Sequence, residues 1–138
     1  MKTLERLIQA SKLELDRRRR EIGDLQALRN RLEDQSAAID VAIAGEKAAS
    51  IADPLTAAGI GRYLGAARDQ QATIAASMAE VDRKIEVLRD AIAEVFGEIK
   101  RYEQVLENRR RERRQARDRR EQEALDEIAL TRRPLQGR

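Results

Sequence analysis

Arginine is concentrated in the last third of this chain, at a spacing that suits the recognition of acidic groups. Residues 109–120 contain eight arginines against two acids, a local charge of +6, and no lysine. A guanidinium group donates paired hydrogen bonds to carboxylate or phosphate and stays charged when it is partly desolvated. Six of these side chains are predicted to bind a partner: Arg109, Arg110, Arg113, Arg114, Arg117 and Arg120.

Residues suited to catalysis are scarce. The chain has no His and no Cys, which removes imidazole acid–base groups, thiol nucleophiles and the usual zinc ligands. Gly59 and Gly61 are not followed by the Gly-Lys-Ser/Thr of a phosphate-binding loop. We therefore expect a protein that is not an enzyme and that uses no catalytic residue, no cofactor and no metal ion.

The arginines continue a heptad repeat of apolar residues, which we call the α2 seam. Alternating steps of four and three reach fourteen positions, of which all but Gln71 are apolar. A stripe this narrow is typical of a helix that packs in a left-handed coiled coil. The α2 seam consists of Ile60, Leu64, Ala67, Gln71, Ile74, Met78, Val81, Ile85, Leu88, Ile92, Val95, Ile99, Tyr102 and Leu106.

A weaker repeat of the same period runs through the first part of the chain, and we call it the α1 seam. Polar residues interrupt it at Ser11, Arg18, Arg29 and Ser36. Helical spacing nevertheless persists to about Lys47, which predicts a second long helix. The α1 seam consists of Leu4, Ile8, Ser11, Leu15, Arg18, Ile22, Leu25, Arg29, Leu32, Ser36, Ile39 and Ile43.

One break separates the two repeats. Pro54 disfavours helix just before it and suits the first turn of a new helix, for which Asp53 is a suitable N-cap. We predict helix one at about residues 3–49, a turn at about 50–56 and helix two at about 57–132, all within one domain over residues 1–138.

The position of the break predicts the topology. A reversal centred near residues 52–55 places Leu4 opposite residues 100–106, where the apolar seam ends. We therefore expect an all-α fold, in which two long helices form an antiparallel coiled-coil hairpin. Helix two is longer, so its arginine-rich C-terminal part should overhang the hairpin.

A second arginine cluster, residues 17–20, lies within helix one. It is either an anion-binding patch or a zone of ion pairs with a solvated face. In the predicted hairpin these residues lie near Glu86, Asp90 and Glu94, which favours the second interpretation. Exposed pairs of this kind contribute only about 0.2–1 kcal/mol each.

The overall composition argues against an ordinary globular core. Charged residues make up 38% of the chain and aromatic residues 2%, while the net charge is +3. Heptad spacing in such a sequence favours coiled coil over disorder. The sequence shows no secretory signal and no apolar run long enough to span a bilayer, so we expect a cytoplasmic protein.

Four segments occur in a fixed order along the chain: Leu4-Glu5-Arg6-Leu7 leading into Leu15-Asp16-Arg17-Arg18-Arg19, the broken middle with Tyr63, Phe96-Gly97-Glu98-Ile99-Lys100, and the arginine-rich tail closing on Leu125-Asp126-Glu127-Ile128-Ala129. In this order they resemble the FliJ family, the small coiled-coil component of the flagellar type III export apparatus. The resemblance covers nearly the whole chain.

The resemblance implies a function in flagellum assembly, type III protein export and motility. FliJ-like proteins form an antiparallel two-helix stalk at the hexameric export ATPase. They also contact the cytoplasmic domain of the export gate in the membrane and assist delivery of substrate chaperones. The implied location is the cytoplasmic base of the export apparatus. Three alternatives stay open: an injectisome stalk protein, an arginine-rich coiled coil that binds nucleic acid, and a self-assembling structural coiled coil.

Overall fold

The protein consists of two long helices that pack against each other, as seen in a computed structural model that describes residues 2–136. Helix α1 spans Lys2–Ala52 and helix α2 spans Pro54–Gln136. No strand occurs between residues 2 and 136. The predicted all-α class with two long helices is thereby confirmed.

Asp53 is the one residue between the two helices. Its carboxylate accepts a hydrogen bond from the Leu55 N–H at 3.0 Å and another from the Thr56 hydroxyl at 3.2 Å. Asp53 therefore caps the start of α2. Pro54 follows in the first helical position, where the missing N–H removes no helical hydrogen bond.

The interruption is shorter than the predicted turn at about 50–56, and α2 also continues beyond the expected end near 132. The Asp53 N–H donates to the Ala49 carbonyl at 3.1 Å, and the Asp53 carbonyl accepts from the Ala57 N–H at 3.1 Å. Helical hydrogen bonding thus reaches Asp53 from both sides. Alanine, the strongest helix former, is frequent on either side, which favours helix over a longer loop.

The chain divides into two compact units, each built from part of α1 and part of α2. Unit 1 comprises Met1–Leu13 with Val95–Arg138, and unit 2 comprises Glu14–Glu94. The single domain predicted over residues 1–138 stays a prediction. The buried residues of unit 1 are Leu4, Ile8, Val95, Ile99 and Leu106. Those of unit 2 are Leu15, Ile43, Ala67, Ile74, Val81 and Ile85.

Burial follows the two seams closely. Every position of the α1 seam and the α2 seam is buried or half-buried, whereas Val41 and Val87, which lie off the seams, are 73% and 67% exposed. From Ile74 to Leu106, the α2 seam positions Met78, Leu88, Ile92 and Tyr102 are half-buried, and the other positions of the seam are buried. Burial of an apolar side chain therefore depends on its position in the heptad and not on its apolar character alone.

The polar interruptions of the two seams meet each other in unit 2. Gln71 donates from Nε2 to the Ser36 carbonyl at 3.0 Å and to Asp40 Oδ1 at 2.8 Å. Its Oε1 accepts from Arg68 Nη1 at 2.7 Å. In another register Gln71 would lose these partners, so the network favours one alignment of the helices.

The arginines of the α1 seam are also paired with acids. Arg29 Nε donates to Asp82 Oδ1 at 2.7 Å, across to α2, and Arg29 Nη1 lies 3.5 Å from Glu33. The hydrogen bond that Arg29 donates to Asp82 and the negative charge of Asp82 raise the pKa of the Arg29 guanidinium above its usual value. Arg18 pairs with Glu14 at 2.8 Å. A seam containing arginine is thus compatible with helix packing when a carboxylate lies beside it.

Stability should depend far more on seam residues than on equally apolar residues outside the seams. Ile85→Ala removes a side chain that is only 5% exposed, and we expect a loss of about 2–4 kcal/mol in the free energy of unfolding. Val87→Ala lies two residues away on the exposed side of α2, and should cost less than about 0.5 kcal/mol. Urea denaturation followed by circular dichroism measures both. Equal, small losses would contradict a packed seam.

Candidate partner-binding surface

Burial in unit 1 ends at Leu106, although α2 continues to Gln136. Leu106 is 7% exposed, whereas the residues from Glu107 to Arg132 are all exposed except Ala116, which is half-buried. Helix α1 begins at Lys2. Glu5 of α1 lies 3.6 Å from Arg110, just past the last buried residue of α2. The arginine-rich part of α2 is therefore a solvent-accessible helical surface.

All six arginines predicted to bind a partner lie on this exposed part of α2. The structure divides them into two sets. Three take part in ion pairs within the chain: Arg110 with Glu5 at 3.6 Å, Arg114 with Glu107 at 3.2 Å, and Arg117 with Asp118 at 4.0 Å. The other three, Arg109, Arg113 and Arg120, belong to none of the ion pairs of the described residues.

Of the six arginines predicted to bind a partner, the three outside ion pairs share one side of the helix. Counting on from Leu106 in steps of three and four reaches Arg109, Arg113, Ala116 and Arg120, and we call these four positions the seam extension. They continue the line of side chains that packs on α1 elsewhere in the chain. The sequence did not show which arginines would be neutralised, because Glu5 comes close to Arg110 only in the folded protein.

The geometry of this surface is open and allows binding. Arg110, Arg113 and Arg114 line an open depression with Glu107, with a volume of about 390 Å³. Exposed guanidinium groups at this spacing can form forked hydrogen bonds to carboxylates or phosphates. Between residues 2 and 136 no group of three or more His, Cys, Asp or Glu side chains is placed to hold a metal ion.

The segment after the arginines has the opposite charge. Glu121, Glu123, Asp126 and Glu127 follow within one to two turns, beside a short apolar face. The leucines and isoleucine of that face are 50–63% exposed: Leu125, Ile128 and Leu130. Before this segment, Arg117 lies 4.0 Å from Asp118, the residue next to it.

The arginine cluster at residues 17–20 lacks the predicted ion pairs with α2. Arg18 pairs with Glu14 on its own helix, and Arg20 Nε donates to the Asp16 carbonyl at 3.4 Å. Glu86 in turn pairs with Arg89 at 3.1 Å. Local partners three or four residues away thus replace the cross-helix pairs, since such partners are held close by the helix itself.

An apolar groove occurs in unit 2 between the two helices. Leu25 of α1 and Val87 and Leu88 of α2 line it, together with charged side chains at its edges. One of these, Glu80, accepts a hydrogen bond from Arg83 at 2.6 Å, and this bond lowers the pKa of the Glu80 carboxyl. The groove is open to solvent, and the Glu80–Arg83 pair forms part of its lining.

Comparison of the chain with known protein families, curated proteins and solved structures gives no match. The resemblance to the FliJ family therefore depends on the residue pattern described above. Neither helix contains, within residues 2–136, a stretch that is long and apolar enough to cross a membrane.

The arginine-rich end of α2 should be dispensable for stability. Among residues 115–132, whose burial the structure describes, removing 115–138 deletes exposed side chains and the half-buried Ala116, and it keeps the pairs of Arg110 and Arg114 and the whole seam. We expect the urea midpoint to change little, while the helical circular dichroism signal falls in proportion to the residues removed.

The matched control removes residues 1–13, a shorter segment that contains the buried Leu4 and Ile8. Because apolar burial is lost there, this deletion should lower the midpoint clearly. A large destabilisation by the C-terminal deletion would contradict the exposed state of the tail.

Proposed function

We propose that the two helices form an antiparallel coiled-coil hairpin, with the end of α2 overhanging. Unit 2 supports this arrangement by the order of its contacts. Asp40 meets Arg68 at 3.4 Å, the Ser36 carbonyl meets Gln71 at 3.0 Å, and Arg29 meets Asp82 at 2.7 Å. From one contact to the next, the α1 residue lies closer to the N-terminus while the α2 residue lies closer to the C-terminus. This is the order of contacts expected for antiparallel helices.

Unit 1 supports the overhang independently. Glu5 is three residues from the start of α1, and its partner Arg110 is followed by many further residues of α2. In an antiparallel pair, residues of α2 well beyond Arg110 have no α1 residue beside them. Their exposure agrees with this inference.

Engineered cysteines test the hairpin, since the natural chain has none. The pair Ser36→Cys with Gln71→Cys should form a disulfide within one chain on mild oxidation, because these residues are in contact. Non-reducing gels should then show a monomer that migrates differently from the reduced form.

The control pair is Ser36→Cys with Val87→Cys. Val87 lines the same groove as Leu25, which is eleven residues, or about 16 Å of helix, away from Ser36. This pair should form no intrachain disulfide. Covalent dimers from the first pair, in place of crosslinked monomers, would rule out an intrachain hairpin.

We propose that the protein is a non-enzymatic stalk and adaptor of the flagellar type III export ATPase complex. The observation that carries the proposal is the end of burial at Leu106, followed by an exposed helical arm from Arg109 to Arg120. A hairpin buries its own apolar residues and leaves this arm for a partner. The resemblance to the FliJ family suggests the acidic surface of the hexameric export ATPase as that partner.

The rest of the proposed function follows from the same resemblance. The stalk would link the ATPase to the cytoplasmic domain of the export gate and assist the delivery of export chaperones. It would lie in the cytoplasm at the base of the flagellar export apparatus. Charge on the arm would steer association with the ATPase, an effect that salt weakens.

Removing four charges from the arm tests this function. The variant Arg109→Gln, Arg113→Gln, Arg117→Gln, Arg120→Gln keeps helix propensity and alters no buried residue. It should unfold at the same urea concentration as the parent. We expect it to lose stimulation of the cognate export ATPase in a purified assay, and to fail to restore motility in a strain that lacks the protein.

The control variant removes four exposed positive charges elsewhere: Lys12→Gln, Arg31→Gln, Arg62→Gln and Arg101→Gln. Its net charge matches that of the arm variant, and it should retain both activities. Full stimulation by the arm variant would contradict the proposal. A salt-sensitive gel shift with duplex DNA, lost in the arm variant, would favour the nucleic-acid alternative instead.

A further inference from the structure

We propose that the seam extension of α2 binds an acidic helix of a partner protein, which lies along α2 as α1 does in the paired part of the chain. This inference builds on the proposed function, since it names the chemistry and the geometry of the partner for the arginine arm. It makes the line of Arg109, Arg113, Ala116 and Arg120, and not the arm as a whole, the binding surface.

Continuity with the existing interface supports this choice of surface. The heptad steps pass from Leu106 to Arg109, Arg113, Ala116 and Arg120 without an insertion or a deletion, and α2 is one uninterrupted helix over this range. A straight heptad stripe on one helix matches a second helix, because only a helix presents side chains at the same repeat along such a length. The occupant is therefore helical.

The pattern of ion pairs supports the same side of α2. Arg110, Arg114 and Arg117 occupy heptad positions outside the seam extension, and each is already near a carboxylate of this chain. The three arginines of the seam extension have no such neighbour among the described residues. Free guanidinium groups in a row offer the larger gain to an incoming acid, because no existing ion pair has to be broken.

The chemistry of the seam extension excludes an apolar partner. A helix with leucine or isoleucine at its seam would cover the guanidinium groups of Arg113 and Arg120 without providing acceptors, which is unfavourable. Carboxylates at the seam positions of the partner would accept forked hydrogen bonds. Within this protein, the seam arginine Arg29 of α1 already donates a hydrogen bond to Asp82, a carboxylate beside the α2 seam. Ala116, which has the smallest side chain of the line, permits close approach.

The length of the arginine line limits the acidic part of the partner. From Arg109 to Arg120 the line rises about 17 Å along the helix, or about three turns. The next two heptad positions are Glu123 and Glu127, so the charge of the surface reverses there. A matching helix is therefore acidic over about three turns, and neutral or basic beyond them.

The first experiment measures binding of synthetic peptides to the full-length protein by fluorescence anisotropy. One peptide, of about 20 residues, has glutamate at the heptad seam positions of its central three turns only, and alanine, glutamine and lysine elsewhere. The second has the same composition, with its glutamates spread around the helix. We expect the first peptide to bind at least about tenfold more tightly, and its affinity to fall as salt is raised.

Two double variants of the protein locate the surface. Arg113→Gln with Arg120→Gln removes two arginines of the seam extension. Arg111→Gln with Arg119→Gln removes two neighbouring arginines that also lack described ion pairs but lie on other sides of the helix. The first variant should weaken binding of the heptad peptide by about tenfold, and the second by less than about threefold.

Three outcomes would overturn the inference. Equal binding of the two peptides would show that the heptad spacing of the glutamates does not affect affinity. Equal losses of peptide affinity in the two double variants would show that the side of the helix does not matter. A duplex oligonucleotide that binds more tightly than either peptide, with equal losses in both variants, would point to phosphate recognition by total charge.

Stimulation of the export ATPase separates this inference from the function on which it builds. If the two double variants lose stimulation equally, the arm acts through its total charge, so the proposed function stands and the inference is wrong. If the variant with four arginines replaced stimulates fully, the proposed function is wrong. Selective loss in the Arg113 and Arg120 variant, in both the peptide and the ATPase assays, supports both.

Discussion

A protein made of two helices can remove from water only the narrow stripe along which those helices touch. In this chain that stripe is the pair of seams, and every buried residue in the described part of the molecule belongs to one of them. Each apolar contact therefore carries a larger share of the stability than it would in a globular core. The place where the seam stops decides which part of α2 is free to interact with other molecules.

Charged groups have a different part in this structure. No described polar or charged residue is buried, so ion pairs such as Arg29–Asp82 remain close to solvent and contribute modestly to stability. Their effect is on alignment, because Gln71, Asp40 and Arg68 have partners in one register of the helices. Helix packing is thus driven by apolar burial and aligned by polar contacts along its edges.

The sequence predicts the repeating features of this fold better than the local ones. A heptad period constrains every residue of the seam, so the side of each helix that becomes buried can be read from spacing alone. The length of the break cannot, because it depends on how far alanine-rich flanks extend helix toward Asp53. The ion pairs could not be predicted from the sequence either. Glu86 has basic candidates both on its own helix and in the arginine cluster of α1, and its partner is Arg89 on its own helix.

The composition of α2 after its last buried residue has a consequence for recognition. Between Leu106 and Arg133 the chain contains neither glycine nor proline, and it is rich in arginine, glutamate, glutamine and alanine, which have high helix propensity. A segment of this kind is ordered before it meets another molecule. Binding to it does not have to offset the backbone entropy that a disordered peptide loses on folding, which is about 1–2 kcal/mol per residue. A modest contact area can then give a specific complex that still dissociates quickly.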